Sequence, residues 1–228
     1  AALAGRDSWH IQRDGGAFIW TGSGADDDAA IGGETSDNLN GGDGADVLIG
    51  LGGDDSLVGG AGYDVLLAGA GNDTLSGGTG ADVMSGGDGF DTYVLGAGDG
   101  ADVIVDSDGQ GVIKIGDDVL TGGKHLINGT YMTDPQASTP KFLYSLINTA
   151  QGIDLVIKRM DGTDVVTVRN WTMGQFGIVL DPNPAVTTPP YTTILGGRVP
   201  TPNPFGATDV NGAHPYYRDE LGNFVGVT

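Results

Sequence analysis

The 228-residue sequence contains no cysteine, so neither a disulfide framework nor a thiolate metal site is available to it. No Lys or Arg occurs between Arg13 and Lys114. Aromatic residues make up only 7% of the chain, which excludes an ordinary core of large side chains for much of its length. The chain also lacks a run of 18 apolar residues, so the sequence predicts no membrane-spanning helix.

What the chain has in excess is glycine and aspartate. It contains 43 Gly, and its 30 acidic residues against 10 basic ones give a net charge of −20. All the acids are Asp except Glu34 and Glu220. Asp suits turns and short-armed oxygen ligation because its carboxylate lies close to the backbone. Such a surface is a poor partner for nucleic acid or an anionic membrane, and we expect no direct insertion into one.

A nine-residue repeat accounts for this composition. Eight contiguous units fill residues 23–94, and a ninth follows at 97–105 after the two extra residues Leu95 and Gly96. The units read SGADDDAAI, GGETSDNLN, GGDGADVLI, GLGGDDSLV, GGAGYDVLL, AGAGNDTLS, GGTGADVMS, GGDGFDTYV and AGDGADVIV. A glycine-rich linker would not keep two positions in phase over nine units.

Two positions of the repeat carry its chemistry. The sixth position is always aspartate: Asp28, Asp37, Asp46, Asp55, Asp64, Asp73, Asp82, Asp91 and Asp102. The eighth position is apolar, and only its first member is small: Ala30, Leu39, Leu48, Leu57, Leu66, Leu75, Met84, Tyr93 and Ile104. The first six residues of a unit suit a tight turn, and the last three suit a short strand. We therefore predict an all-β fold, a parallel β-roll in which two units make one 18-residue coil.

This arrangement stacks the sixth-position aspartates in two columns, one along each edge of the roll. Neighbours in a column lie one coil apart, about 4.8 Å by strand spacing. Carboxylates at that distance repel by about 1 kcal/mol even in water, so a cation must lie between them. Ca²⁺ takes six to eight oxygens with tolerant geometry, whereas Mg²⁺ demands stricter octahedral geometry and Zn²⁺ prefers His or Cys, which the repeats lack.

The unit pattern GGxGxDxUx resembles the repeats-in-toxin (RTX) family, the haemolysin-type calcium-binding repeats, across residues 23–105. Main-chain carbonyls of the turns are the further ligands that we expect. Because alternate carbonyls of a turn point in opposite directions, the first and third positions would serve one neighbouring ion, and the second and fourth the other. The glycine carbonyls concerned are those of Gly41, Gly42, Gly44, Gly50, Gly53, Gly59, Gly60, Gly62, Gly69, Gly71, Gly77, Gly78, Gly80, Gly86, Gly87 and Gly89.

Counting the gaps between neighbouring aspartates predicts at most seven Ca²⁺ ions in the periodic array. The ends of the array depart from the pattern: Ala30 is small, Thr35 replaces the fourth glycine of its unit, and Asp102 follows Asp82 by 20 residues rather than 18. Leu51 replaces the second glycine of its unit, but that position need supply only a carbonyl, so we expect its site to survive.

The flanks predict three further regions. Residues 1–22 form an N-terminal cap, in which IQR and AFIW around DGG indicate a small hairpin. Residues 106–181 form a β-rich capping region that covers the open strand edge of the roll, with a hairpin about Asp161 and Gly162. Its segments DSDGQGVI and VRNWTMGQFGIVL resemble the haemolysin-type calcium-binding-related region. Residues 182–228, with eight of the ten Pro, are expected to be a linker or arm.

Asp106 and Asp108, in the segment DSDG, indicate either one more Ca²⁺ site or a plain Asx turn, and the sequence leaves both open. No catalytic motif is found: there is no GxSxG, HExxH, P-loop or Cys nucleophile, so we expect no enzyme activity in this stretch. Self-cleavage at the Asp134-Pro135 or Asp181-Pro182 bond is a minor alternative that the resemblance suggests.

Taken together, these features predict a non-catalytic calcium-binding module. The sequence begins AALAGRDSWH, without an initiator Met, so we expect a piece of a larger protein. The resemblance implies a secreted bacterial protein, a toxin or exoenzyme, exported unfolded by a type I secretion apparatus and folded by extracellular Ca²⁺. The alternative is a calcium-dependent polysaccharide- or surface-recognition module, which a polar or aromatic row along one sheet would favour. The seventh positions show no such row: Ala29, Asn38, Val47, Ser56, Val65, Thr74, Val83, Thr92 and Val103.

Overall fold

The computed structural model describes residues 8–11, 16–22, 24–127, 130–133, 141–160, 165–184, 216–218 and 224–226. The chain divides into two compact units, Ala1–Ala185 and Val186–Thr228. Within the described residues the regular structure is β-strand, apart from one 3-10 turn at Gln175–Gly177. None of the described residues forms a helix that is long and apolar enough to cross a membrane.

The first unit is a roll with two sheets. Sheet A of the roll consists of β1 (Ser8–Ile11), β3 (Asp28–Ile31), β5 (Val47–Gly52), β7 (Val65–Ala70), β9 (Val83–Asp88) and β11 (Ala101–Ile104). Sheet B consists of β2 (Ile19–Thr21), β4 (Asn38–Asp43), β6 (Ser56–Gly62), β8 (Thr74–Gly80), β10 (Asp91–Leu95), β12 (Gly111–Ile115) and the short β13 (Asp118–Val119). Strands alternate between the sheets along the chain, which confirms the predicted parallel β-roll.

Strand register follows the nine-residue repeat. Leu48 pairs with Leu66 in sheet A and Leu57 with Leu75 in sheet B, each one coil or 18 residues apart. After the two-residue insertion at Leu95 and Gly96 the register is kept by a longer coil, because Met84 pairs with Ile104. The eighth-position side chains therefore meet along the axis, and all of them, from Ala30 to Ile104, are fully buried.

The N-terminal hairpin prediction was wrong. β1 and β2 lie in different sheets, and each pairs in parallel with a strand of the roll, His10 with Ala30 and Trp20 with Leu39. Trp20 thereby takes an eighth-position place in the core. An isolated two-stranded hairpin is only marginally stable in water. The first coil instead offers each segment a strand edge to pair with and apolar side chains to pack against. The expected cap is thus an irregular extra coil, with the turn residues 12–15 outside the described part.

The capping region extends sheet A beyond the roll. Its strands are β14 (Gly122–Ile127), β15 (Thr130–Met132), β16 (Phe142–Asn148), β17 (Ile153–Arg159), β18 (Val165–Val168) and β19 (Val179–Pro184). The predicted hairpin is confirmed as the antiparallel pair β17 and β18, while its turn residues 161–164 lie outside the described part. β18 pairs in parallel with β11, Ile104 opposite Val168, so it covers the strand edge that the last repeat of sheet A leaves open.

The cap and the roll share one hydrophobic core. Tyr144, Leu155, Ile157 and Phe176 are buried in the same cluster as the eighth-position side chains. Burial of Asp154 in the cap is balanced by Arg169, whose Nη1 lies 2.8 Å from its Oδ2. β12 belongs to sheet B of the roll, so the stack of parallel strands runs from β1 to β12 and exceeds the predicted span of 23–105 at both ends.

Two strands are described in the second unit. β20 (Tyr216–Arg218) and β21 (Phe224–Gly226) form an antiparallel pair, with Tyr217 opposite Val225. Part of the segment predicted as a linker or arm is therefore strand. The aromatic residues Tyr191 and Phe205 lie outside the described residues.

Candidate calcium sites

The sixth-position aspartates form two buried columns, one on each edge of the roll. One column holds Asp28, Asp46, Asp64, Asp82 and Asp102, and the other holds Asp37, Asp55, Asp73 and Asp91. All nine are at most 4% exposed. The structure thus brings together every aspartate that the repeat predicts.

One carboxylate oxygen joins neighbouring coils along both columns. This holds for Oδ1 of eight of the nine aspartates, those from Asp37 to Asp102. Oδ1 of Asp64 accepts the backbone N–H of Asp46 at 2.8 Å, and Oδ1 of Asp82 accepts that of Asp64 at 2.9 Å. The other column repeats the pattern, with the Asp55 N–H donating to Asp73 at 2.7 Å. The bond persists across the longer coil, since the Asp82 N–H donates to Asp102 at 3.0 Å. Each of these Oδ1 atoms therefore faces the preceding coil.

The second carboxylate oxygen of six of the nine aspartates has no protein partner. Oδ2 of six aspartates is fully buried and accepts no hydrogen bond: Asp46, Asp55, Asp64, Asp73, Asp82 and Asp91. A buried anionic oxygen without a partner carries a large desolvation cost. Six such atoms in two regular rows indicate positions meant for a cation.

A glycine at the first position of six of the nine units leaves room beside this oxygen, while Ser23, Ala68 and Ala97 stand there in the other three. A methyl group placed on Gly41 would collide with Oδ2 of Asp46 and lie 2.6 Å from the carbonyl oxygen of Gly59 in the next coil. Gly59 repeats the arrangement, with Oδ2 of Asp64 and the Gly77 carbonyl oxygen around the same point. The side chain that glycine lacks would thus fill a small space lined by a carboxylate and by a main-chain oxygen.

Turn carbonyls alternate in direction as the repeat predicts. The first-position carbonyl of Gly59 and the third-position carbonyl of Ala61 face the preceding coil, the latter accepting the Gly44 N–H at 2.8 Å. Second- and fourth-position carbonyls, such as those of Gly60 and Gly62, face the following coil, where they approach Gly78 and Gly80. Each gap between coils therefore receives carbonyl oxygens from both sides, although their role as ligands remains a prediction.

Leu51 keeps the same backbone path as the glycines at its position. Its φ is 84°, in the left-handed region where glycine is favoured, and its side chain is 46% exposed. The Leu51 carbonyl oxygen faces Gly69 of the next coil, as the Gly42 carbonyl oxygen faces Gly60. The geometry thus agrees with the expectation that this substitution preserves the carbonyl.

An oxygen-liganded cation fits these gaps. Among the described residues no three acidic, histidine or cysteine side chains converge on one point, so each gap offers two aspartates together with main-chain carbonyls. All of these ligands are oxygens, only the two carboxylates are charged, and the carbonyls belong to turns whose geometry can adjust to the ion. Ca²⁺ accepts ligands of this kind. The residues that would hold it are the sixth-position aspartates and the turn carbonyls of the units on either side of each gap.

The protein groups alone raise the pKa of aspartates in both columns. Burial, opposed by the backbone hydrogen bond and reinforced by the neighbouring carboxylates, raises the pKa of Asp46 to about 6 and that of Asp55 to about 7. Desolvation likewise raises the pKa of Asp64, Asp82 and Asp91 to about 6. A cation between the coils would oppose both the desolvation cost and the repulsion that cause these shifts.

Asp106 and Asp108 form an Asx turn at the end of the roll. Oδ1 of Asp106 accepts the N–H groups of Asp108 at 3.1 Å and Gly109 at 2.8 Å, and its Oδ2 accepts the Tyr93 hydroxyl. Oδ1 of Asp108 accepts the Gln110 N–H at 2.8 Å, and its Oδ2 accepts the Gly89 N–H at 3.0 Å. All four oxygens thus have protein donors, as the turn interpretation expects, while an extra ion here remains untested.

The seventh positions, which show no row in chain order, separate into two rows once the sheets are known. Sheet B carries Asn38, Ser56, Thr74 and Thr92 in register on its outer face. Sheet A carries Val47, Val65, Val83 and Val103 at the same places. The expectation of no row was wrong, because consecutive units alternate between sheets and chain order interleaves the two faces. Listing every second unit would have found it.

Comparison with known families agrees with this geometry. The family model of the RTX calcium-binding nonapeptide repeat (4 copies) matches residues 31–66 and 64–93. Repeats of this family bind Ca²⁺. A search of curated proteins found no match to the chain.

Replacing Asp64 by Asn tests the columns. The change removes one charge from the middle of a column and weakens Ca²⁺ binding in the two gaps that Asp64 borders. The Ca²⁺ concentration at the folding midpoint should therefore rise on the order of tenfold, which corresponds to a loss of about 1.4 kcal/mol of binding free energy. Circular dichroism during Ca²⁺ titration measures the midpoint. Asp43→Asn, on the exposed third position of the same edge, is the matched control and should leave it nearly unchanged. Equal shifts in both variants would contradict the assignment.

Acid should promote folding of the chain in a chelating buffer. The folded-state pKa values of about 6 for Asp46 and about 7 for Asp55 lie above 3.8, the ordinary pKa of an aspartate, so between about pH 4 and pH 7 the folded state binds more protons than the unfolded state. Lowering the pH from 8 to 5 in EDTA should therefore increase the β signal in circular dichroism. With saturating Ca²⁺ the trend should reverse, because protons compete with the ion. A chelated sample whose β signal is unchanged or falls over this range would be inconsistent with the columns.

Proposed function

Since residues 31–93 are RTX calcium-binding nonapeptide repeats, we propose that this chain is the calcium-dependent folding module of a larger secreted bacterial protein, a toxin or exoenzyme. Its role is to stay unfolded inside the cell, to assist export through a type I secretion apparatus, and to fold and stabilise the parent protein outside. The observation that carries the proposal is the pair of buried carboxylate columns, in which six Oδ2 atoms have no protein donor.

Charge supports a conditional fold. No Lys or Arg lies between residues 13 and 114, so the repeats contain no side-chain ammonium or guanidinium group to place between the aspartates. Asp28 and Asp46 lie close enough for the N–H of one to reach the carboxylate of the other at 2.7 Å. Without a cation, folding therefore brings neighbouring carboxylates of both columns close enough to repel each other.

A thin core supports the same conclusion. Each coil of the repeats contributes one eighth-position side chain from each sheet, such as Leu48 and Leu57, to the buried interior. A chain with so little apolar surface to bury gains little hydrophobic free energy on collapse. Binding of the ion then adds its free energy to that of folding, as in other metal-dependent domains. The bound Ca²⁺ supplies positive charge to the columns, while the chain supplies their spacing and their oxygens.

The cap gives the roll a defined end. Pairing of β18 with β11 leaves the last repeat strand of sheet A with a partner on each side. An uncovered parallel edge would pair with other chains, which a secreted protein folding at high local concentration must avoid. The cap therefore keeps this strand edge of the roll from pairing with other chains, and in this way the module stabilises the parent protein.

Circular dichroism of the purified chain during Ca²⁺ titration tests this function. We expect little β signal in EDTA and a cooperative gain in it, with a midpoint between about 10⁻⁴ and 10⁻³ M Ca²⁺, the range of extracellular modules. Mg²⁺ at the same concentration is the control and should not replace Ca²⁺, because the carbonyl-rich gaps do not impose octahedral geometry. A full β signal in EDTA would show that folding does not depend on the ion.

A second candidate function is recognition of a polysaccharide or other hydroxyl-rich surface along sheet B. The observation that favours it is the row of Asn38, Ser56, Thr74 and Thr92, which repeats at the strand spacing on an exposed face. Hydroxyl and amide groups in such a row both donate and accept hydrogen bonds. Calcium would act indirectly, because only the folded roll sets the row in register.

A glycan array probed with and without Ca²⁺ tests this second function. Binding should appear only with Ca²⁺, and Thr74→Val, which removes a hydroxyl while keeping the side-chain shape, should weaken it severalfold. Val65→Thr on sheet A is the matched control and should not change it. If no glycan binds in either condition, recognition by sheet B is excluded for the glycans tested.

A further inference from the structure

The last coil of sheet B breaks the column of carboxylates on its edge. Asp91 pairs with Gly111, not with another aspartate. The Asp91 N–H, for which no carboxylate is offered, instead faces the carbonyl oxygen of Gln110 at 3.5 Å. A methyl group on Gly111 would lie within 2.9 Å of the backbone N and C atoms of Asp91, so no side chain fits at this sixth position. The regular column therefore ends at Asp91.

Asp106 brings a carboxylate to the same gap from another position. It precedes Gly111 by five residues, as Gly86 precedes Asp91, so it takes the place that glycine holds in the earlier units. Its Oδ1 is engaged by the N–H groups of Asp108 and Gly109. Its Oδ2 accepts the hydroxyl of Tyr93. Both oxygens of Asp106 thus have protein donors, whereas Oδ2 of Asp91 accepts no hydrogen bond.

Tyr93 differs from the other eighth-position residues because it carries a hydroxyl into the edge of the roll. Leu39, Leu57 and Leu75 hold the equivalent place in sheet B. The Tyr93 ring is fully buried and packs edge-to-face on Phe176 of the cap, with 5.6 Å between ring centroids. Its hydroxyl oxygen accepts the Gly86 N–H at 2.6 Å and donates its proton to Asp106.

The hydroxyl is bonded to the first-position glycine whose own aspartate ends the column. A methyl group on Gly86 would collide with Oδ2 of Asp91, as one on Gly41 would with Oδ2 of Asp46. Gly86 therefore contacts both the carboxylate that ends the column and the hydroxyl that follows it.

We propose that the Tyr93 hydroxyl and Asp106 terminate the calcium column on this edge, the O–H taking the place of an ion in the gap between the Asp91 coil and the Asp106 coil. The pair thereby sets how many ions the module binds, and it joins the end of the column to the cap through Phe176. This inference rests on the proposed calcium-dependent function. It also assigns Asp106 and Asp108 to the turn rather than to an additional Ca²⁺ site.

Counting bound ions in variants of the full chain tests the proposal. Isothermal titration calorimetry, with equilibrium dialysis and elemental analysis as a second measurement, gives the number of Ca²⁺ ions per chain. Asp106→Asn should leave that number equal to the wild-type value, because Asp106 holds no ion. Tyr93→Phe keeps the ring and removes only the hydroxyl, so Asp91 and Asp106 face each other without the O–H and the number should rise by one. The double variant should return to the wild-type number.

Asp117→Asn, exposed between β12 and β13 and outside the repeats, controls for the loss of a single charge and should not change the number. A loss of one ion in Asp106→Asn would overturn the proposal, since Asp106 would then be a ligand, and so would an unchanged number in Tyr93→Phe. If Tyr93→Phe fails to gain the β signal with Ca²⁺, the number in Asp106→Asn decides alone. If the wild-type chain binds Ca²⁺ and folds with it, but the ion number of either variant differs from the expected one, only this inference is refuted. If the wild-type chain binds no Ca²⁺, the proposed function is refuted as well.

Discussion

Repulsion between carboxylates one coil apart is the constraint on which the whole roll depends. Every unit places one aspartate at the same buried position, and the strand spacing then brings like charges together along both edges. The backbone relieves part of this, because Oδ1 of seven aspartates accepts the N–H of the aspartate one coil before it, as Asp64 does from Asp46. In six of the nine aspartates the second oxygen is buried and accepts no hydrogen bond. Positive charge between the coils would offset the cost of burying these oxygens.

Glycine and aspartate at fixed spacing are two parts of one solution. The glycine at the first position leaves the space next to Oδ2, and the turn that glycine permits sends carbonyl oxygens from both coils towards each gap. A side chain at Gly59 would fill that space, and a longer acid at position 64 would not keep its carboxylate beside the backbone. The composition of the repeats therefore follows from the ion sites rather than from the hydrophobic core.

Sequence periodicity predicts what is repeated and misses what is not. The buried aspartates, the core residues and the register, such as Leu57 opposite Leu75, all follow from the nine-residue period because each coil constrains the next. The N-terminal segment was misassigned, since AFIW reads equally well as half of a hairpin or as a strand of the roll, and only the partner available decides. The roles of Tyr93 and Asp106 depend on a bond between residues 13 apart at a break in the period, which no repeat pattern describes.

The two ends of the roll show that stopping the array needs a different chemistry from continuing it. At the N-terminal end an aromatic side chain, Trp20, fills the core place, and the Phe18 N–H donates to Asp37 at 2.6 Å where an aspartate N–H would otherwise stand. At the C-terminal end Gly111 replaces the acid, and strands of the cap continue sheet A. Both ends keep the main-chain pairing but stop adding buried charge. Since each additional aspartate would require a further cation, the columns end where hydrogen-bond donors of the chain itself take over.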